Sequence, residues 1–194
     1  IGLLCLFKIS KKYKKKEGMS NSIKNIYGEP LQTCRKNESD ANGSWDTKGY
    51  CSELDGGVHQ ICFNVNNDTK HFSNQTYQSN WSQNRINKNH CMCLGAWALY
   101  KARQDKGEIQ KTTNELQCES IMDDALESKY IDNWNTWNGN ELDDQIVNGV
   151  NHLMDQCYKK GNKSQKTHLK KLYKNLTEKR KEFHNTNTYI RIIN

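Results

Sequence analysis

Proline occurs once in 194 residues, and Leu, Ile, Val and Phe together number 35. That apolar content lies near the level at which chains stop burying enough surface to fold, so several large cores are excluded. The length suits one domain with polar extensions. No apolar run approaches the roughly 20 residues needed to span a bilayer, which excludes a complete transmembrane helix. Signature motifs are missing as well. The chain has no G-x-x-x-x-G-K-[ST], H-E-x-x-H, G-x-S-x-G or G-x-G-x-x-G, so the common nucleotide, zincin and hydrolase readings fall away and no small-molecule substrate is identifiable. Residues 132–144 (DNWNTWNGNELDD) are acidic, but aligning Gly139 with the EF-hand turn glycine puts Trp134 and Gln145 at the two end ligand positions. The loop fails at both ends.

Charge is abundant and unevenly placed. Residues 1–18 carry a net +5 and residues 158–194 a net +9, which leaves −7 for residues 19–157. The chain therefore reads as an acidic body, 19–157, between a basic extension, 1–18, and a basic tail, 158–194. The extension has its apolar run before its lysines, the reverse of a secretory signal. It reads as untranslated upstream sequence or a truncated anchor, with Met19 as a natural start. The tail is rich in Lys and poor in Arg, which suits an acidic protein partner or non-specific nucleic acid rather than base readout. Seven N-x-[ST] sequons arise readily in so Asn-rich a chain. A cytoplasmic place is expected, with a virion or secreted one left open.

The expected fold class is α+β, with a loop-rich N-terminal half carrying short strands and a helical C-terminal half in one compact domain. Residues 31–90 are full of turn signals around short apolar pieces such as Val58 to Val65. The stretch 92–104 (MCLGAWALYKARQ) predicts a central buried helix. The capping-box spacing of Thr112 and Glu115 predicts a second helix, with Leu116, Ile121, Met122, Ala125 and Leu126 on one face. A third begins near Asn140 with Leu142, Ile146, Val150, Leu153 and Cys157 in one stripe. Ser164 is placed to cap a last, basic amphipathic helix over 164–184, its apolar face formed by Leu169, Leu172, Leu176 and Phe183 and docked on the body or on a partner.

Eight cysteines stand at 5, 34, 51, 62, 91, 93, 118 and 157. The densest pieces, His59-x-x-Cys62 and His90-Cys91-x-Cys93, offer imidazoles and thiols, the donors that suit zinc. The spacing is not the usual C-x(2 to 4)-C, and the same residues suit disulfides, a redox thiol or small buried hydrophobes. A thiolate at Cys91 or Cys93 would gain from a helix N-terminus. Cys62, Cys91 and Cys93 are expected in one neighbourhood, with Trp97 one helical turn behind Cys93 as an apolar wall.

The segments GEPLQTC (28–34), GYCSELDGGVHQIC (49–62), CMCLGAWALYKA (91–102) and LQCESIMDDAL (116–126) resemble, in order, those of the domain of unknown function 2237 family. Its pattern runs PL-x-x-C, G-C-C, D-x-G-x-H-x-V-C, W-C-L-C-x-x-x-W and L-x-x-T-H-x-x-A-L. The matching positions are Cys34, Gly49, Cys51, Asp55, Gly57, His59, Cys62, Cys91, Cys93 and Trp97. Tyr50, His90 and Ile121-Met122 depart from it. The resemblance implies a shared fold over residues 27–127 and no activity, because none is established for the family. If the family's paired cysteines form a redox or metal pair, Tyr50 removes one sulfur. His90 then becomes a replacement donor in a set of His59 or Cys51 with Cys62, His90 and Cys91 or Cys93.

Three functions compete: a domain with a Cys/His-lined metal or thiol site; a non-catalytic structural or accessory protein, such as a viral or protist particle component, that docks through its basic tail; and a nucleic-acid binder acting through the tail alone.

Overall fold

The computed structural model describes residues 23–40, 43–52, 59–134, 136–137, 140–141, 145–184 and 186–193. Asp55 and Gly57 lie outside the described residues, as does Leu142. The fold is α+β. Its elements are β1 (Ile61–Val65), α1 (Phe72–Gln75), β2 (Lys88–Met92), α2 (Leu94–Asp105), α3 (Ser128–Asn133), β3 (Thr136–Trp137), β4 (Asn140–Glu141), α4 (Gln145–Lys160), α5 (Lys163–Lys179) and α6 (Asn187–Ile193). None of the helices among the described residues is long and apolar enough to cross a membrane.

β1 and β2 pair antiparallel with Cys62 opposite Cys91 and Phe63 opposite His90. α2 follows β2 with only Cys93 between, and its near-continuous apolar sequence is explained by burial on almost every side. One face of α2 meets α4 so closely that a Cβ on Gly149 would lie 2.7 Å from the Ala98 backbone. Glycine is required there for the two helices to touch. The Trp97 indole crosses the same seam and donates to the Gly149 carbonyl at 2.8 Å.

The expected helix over 112–126 does not form. Leu116 runs extended beside β1, where the Gln117 amide donates to the Cys62 carbonyl at 3.0 Å and the Asn64 amide to Glu115 at 2.6 Å, and two short 3-10 turns follow at Cys118–Ser120 and Asp123–Leu126. Leu116, Ile121, Met122, Ala125 and Leu126 are still buried. Apolar spacing was satisfied by an extended segment and turns, because closing the edge of β1 gave the backbone partners that a helix would have supplied internally. The Thr112 hydroxyl bonds to the Glu115 carboxylate, so the pair is a side-chain contact instead of a cap.

The tail helix is α5, and its N-cap is Asn162 in a capping box with Gln165, not Ser164. Asn162 wins because the KKGN turn ends two residues before Ser164, and the Asn162 carboxamide oxygen accepts from the Gln165 amide at 3.0 Å. Leu169, Tyr173, Leu176 and Phe183 belong to the same buried core as α2 and α4, while Leu172 packs at its margin. The Tyr173 hydroxyl bonds Asn151 of α4. Gly28, at φ 77°, lies flat against the His168 ring, where a Cβ would come within 2.4 Å. Two cations of the tail meet body carboxylates, Arg180 with Asp132 at 2.6 Å and Arg191 with Asp155. The apolar stripe of the tail is thus seated on the body, and its lysines face outward.

Candidate functional site: two disulfides on one strand pair

The cysteine neighbourhood grows out of the β1–β2 ladder. The Cys62 carbonyl accepts from Gln117 and the Cys91 amide donates to Gly43 at 2.7 Å, so the polar groups of both residues point away from each other. Cys62 and Cys91 therefore form a non-hydrogen-bonded antiparallel pair, the kind whose side chains approach most closely. The loop 34–51 lies over that face. It is held by the Asn89 carboxamide, which donates to the Cys34 carbonyl at 2.8 Å, and by Arg85, which joins Asp40 at 3.1 Å while donating to the Asn89 carbonyl at 2.6 Å. The Cys34 amide also donates to Gly49 at 2.9 Å, closing the loop on itself.

Each cysteine of the strand pair is bonded to one cysteine of the loop. Cys34 joins Cys62 and Cys51 joins Cys91, with Cα separations of 5.7 and 5.3 Å. The sulfurs of Cys34, Cys51 and Cys62 all lie within 4.8 Å of one another, so the two bridges are neighbours. A third bridge, Cys118–Cys157, ties the turn after Leu116 to α4. All six of these cysteines are buried.

This pairing corrects the expected ligand set. Cys51, Cys62 and Cys91 are engaged in disulfides, and metal ligation needs the thiolate. Cys34, expected only as support, is a full member of the cluster. His90 does not join it. By strand alternation it points to the face opposite Cys91, where its ring stacks on Trp81 at 3.7 Å. Burial, with Arg85 and His59 adding to it, holds the His90 pKa well below 6.5. His59, just before β1, is lowered in the same direction by burial. Cys93 sits outside the three bridges as the buried N-cap residue of α2, and Trp97 follows one turn later, its amide bonded to the Cys93 carbonyl at 3.2 Å.

A second buried polar group was not anticipated. Lys101 of α2 donates to Glu115 at 2.8 Å, to Gln104 at 2.9 Å and to the Thr112 carbonyl at 3.1 Å, with both partners of the ion pair at most 1% exposed. Gln156 of α4 donates to the other Glu115 oxygen at 2.7 Å, and the Trp97 ring lies 4.8 Å from the ammonium. Burial alone would raise the Glu115 pKa, but Lys101 and Thr112 outweigh it and hold the carboxyl below its usual range. The sequence signal was Lys101 itself, a cation directly after the apolar run Leu94 to Tyr100 of α2. The group is closed on every side by its own partners, so it positions α2, the 112–117 segment and α4 and offers a substrate no access.

Comparison with known protein families, curated proteins and solved structures finds no match for the chain.

Proposed function

We propose that this chain is a non-catalytic, disulfide-stapled module that works in an oxidising compartment and uses the outer face of its basic C-terminal helices to dock an acidic protein partner. The observation that carries this reading is the burial of all three bridges, two fastening the 34–51 loop to the β1–β2 pair and the third fastening the turn after Leu116 to α4. Disulfides persist where the surroundings are oxidising, so they favour such a compartment over the cytoplasm expected from composition. Sealed inside the protein, they suit a structural role better than exchange with a passing substrate, which needs an accessible sulfur. The resemblance to the domain of unknown function 2237 family belongs to this reading, since four of the five cysteines that carry it are those of the two neighbouring bridges.

The docking half rests on charge. With the apolar stripe of α5 turned inward, Lys163, Lys166 and Lys170 line a groove of about 500 Å³ together with Tyr158 of α4. Binding to an acidic polypeptide such as polyglutamate should weaken as salt rises and should be lost in the triple variant K163E/K166E/K170E with an unchanged melting temperature. Binding that ignores salt, or survives the triple variant, contradicts the docking face.

A redox reading is favoured by one observation, the 4.8 Å neighbourhood of three sulfurs from two bridges.

A further inference from the structure

We infer that the two neighbouring bridges are the oxidised form of a thiolate metal site made by Cys34, Cys51, Cys62 and Cys91. The inference shares the disulfide cluster with the proposed function but not its conclusion, because it concerns what the same sulfurs do once reduced.

Sulfurs that bind one tetrahedral zinc ion at about 2.3 Å stand about 3.8 Å apart. Three of the four are already within 4.8 Å of one another, and the fourth is the disulfide partner of Cys51. On reduction each bonded pair opens from about 2 Å towards ligand spacing, while the gap between the two bridges, at most 4.8 Å among Cys34, Cys51 and Cys62, closes by about 1 Å. In the folded chain the scaffold directs them there without the S–S bonds, and a bound metal supplies the cross-link that reduction removes. Cys62 and Cys91 are fixed by strand register, and the 34–51 loop is fastened to the hairpin by Asn89, Arg85 and Asp40 through hydrogen bonds that reduction leaves intact. Soft thiolates in a tetrahedral set select zinc or another thiophilic divalent ion over magnesium or calcium. His59 and His90 are not needed for a four-donor set.

The chemistry balances. Two molecules of a dithiol reductant supply four electrons and four protons, both S–S bonds break, four thiols form, and each reductant leaves as its own cyclic disulfide. Binding of one divalent ion then releases four protons as the thiols become thiolates. Re-oxidation by a disulfide oxidant reverses the sequence and expels the ion.

Cobalt(II) is the probe. Protein reduced without air should take up one cobalt per chain, show the intense visible bands of a tetrahedral thiolate site, and lose the bands when zinc is added. The oxidised protein should show none. Cys51→Ser and Cys62→Ser should lose the bands, whereas Cys93→Ser should keep them. If the reduced, metal-free chain unfolds, one equivalent of zinc should restore its helical circular dichroism, because metal binding and folding are then one event. The inference is overturned by uptake below about a tenth of an equivalent, by bands that persist in Cys51→Ser, by their loss in Cys93→Ser, or by a reduced chain that zinc fails to refold. Each of these leaves the pairing in the oxidised protein, and hence the proposed function, untouched.

Discussion

The part of the chain before residue 127 and the helical part after residue 144 are held by different means. The first is loops, one short strand pair and the single long helix α2, with Cys34, Cys51, Cys62 and Cys91 at the centre of the loops and a network of Asn, Arg and Asp side chains around them. The second is three helices whose Ile146, Val150, Leu153, Leu169, Tyr173 and Leu176 repeat at helical spacing and close on one another and on α2. Where the sequence offers a regular apolar stripe, packing suffices. Where it offers Asn, Gly and Ser, covalent bridges replace the missing apolar surface, as expected for a chain so poor in Leu, Ile, Val and Phe. The Cys118–Cys157 bridge and the hydrogen bond from Gln156 to Glu115 tie the two parts together.

The largest effect that separates the two parts should come from reduction. The bridges close loops with sequence separations of 28, 40 and 39 residues, each worth roughly 3 to 4 kcal/mol in the chain-entropy account. Under a strong reductant without metal, hydrogen exchange should open residues 23–126 well before α4 and α5. Simultaneous opening of both parts would show that packing does not hold the helices independently.

Next is Glu115→Ala, which strands the Lys101 ammonium in the interior and should cost about 3 to 5 kcal/mol. The double variant Lys101→Met/Glu115→Leu should recover most of that loss in a thermal melt. If the double variant is no better than the single one, the pair is not an isolated ionic tie.

Leu169→Ala, at a fully buried position of α5, should cost about 3 kcal/mol by leaving a cavity. It should leave the three bridges formed when thiols are counted. An unchanged melting temperature would mean that α5 is only resting on the body.

The smallest effect is in pH dependence. The unfolded chain takes up a proton at His90 near pH 6.5, while the folded protein, which buries the ring beside Arg85, resists it. Stability from this group is present above that pH and lost as pH falls through and below it. Melting temperature should therefore drop more between about pH 7.5 and 5.5 in the parent than in His90→Phe, which keeps an aromatic ring against Trp81. Equal slopes would remove His90 from the account.

The helical part was the more legible one in the sequence. The stripes through Ile146 to Cys157 and Leu169 to Leu176 each lie on a helix, but α4 starts at Gln145 and not near Asn140, where β4 stands, and α5, capped by Asn162, ends at Lys179, so Phe183 is buried from a 3-10 turn instead of from the expected helix over 164–184. The N-terminal half was legible as a class, loops with short strands, but its contacts were not. Nothing in the local pattern of 112–126 says that it will lie along β1, because that depends on an edge created some fifty residues earlier. The cysteine spacing likewise could not say which sulfurs would bond, since four cysteines allow three pairings, and it is the seating of the 34–51 loop over the strand pair that chooses Cys34–Cys62 and Cys51–Cys91. His90 was grouped with Cys91 by adjacency, and pleat alternation separates them.

Disulfide mapping of the intact, unreduced protein by proteolysis and mass spectrometry tests the central claim most directly. The account predicts peptides joined as Cys34–Cys62, Cys51–Cys91 and Cys118–Cys157, with no reactive thiol at any of these six positions. Peptides joined as Cys62–Cys91 or Cys34–Cys51, or free thiols at these positions in protein never exposed to reductant, would contradict it.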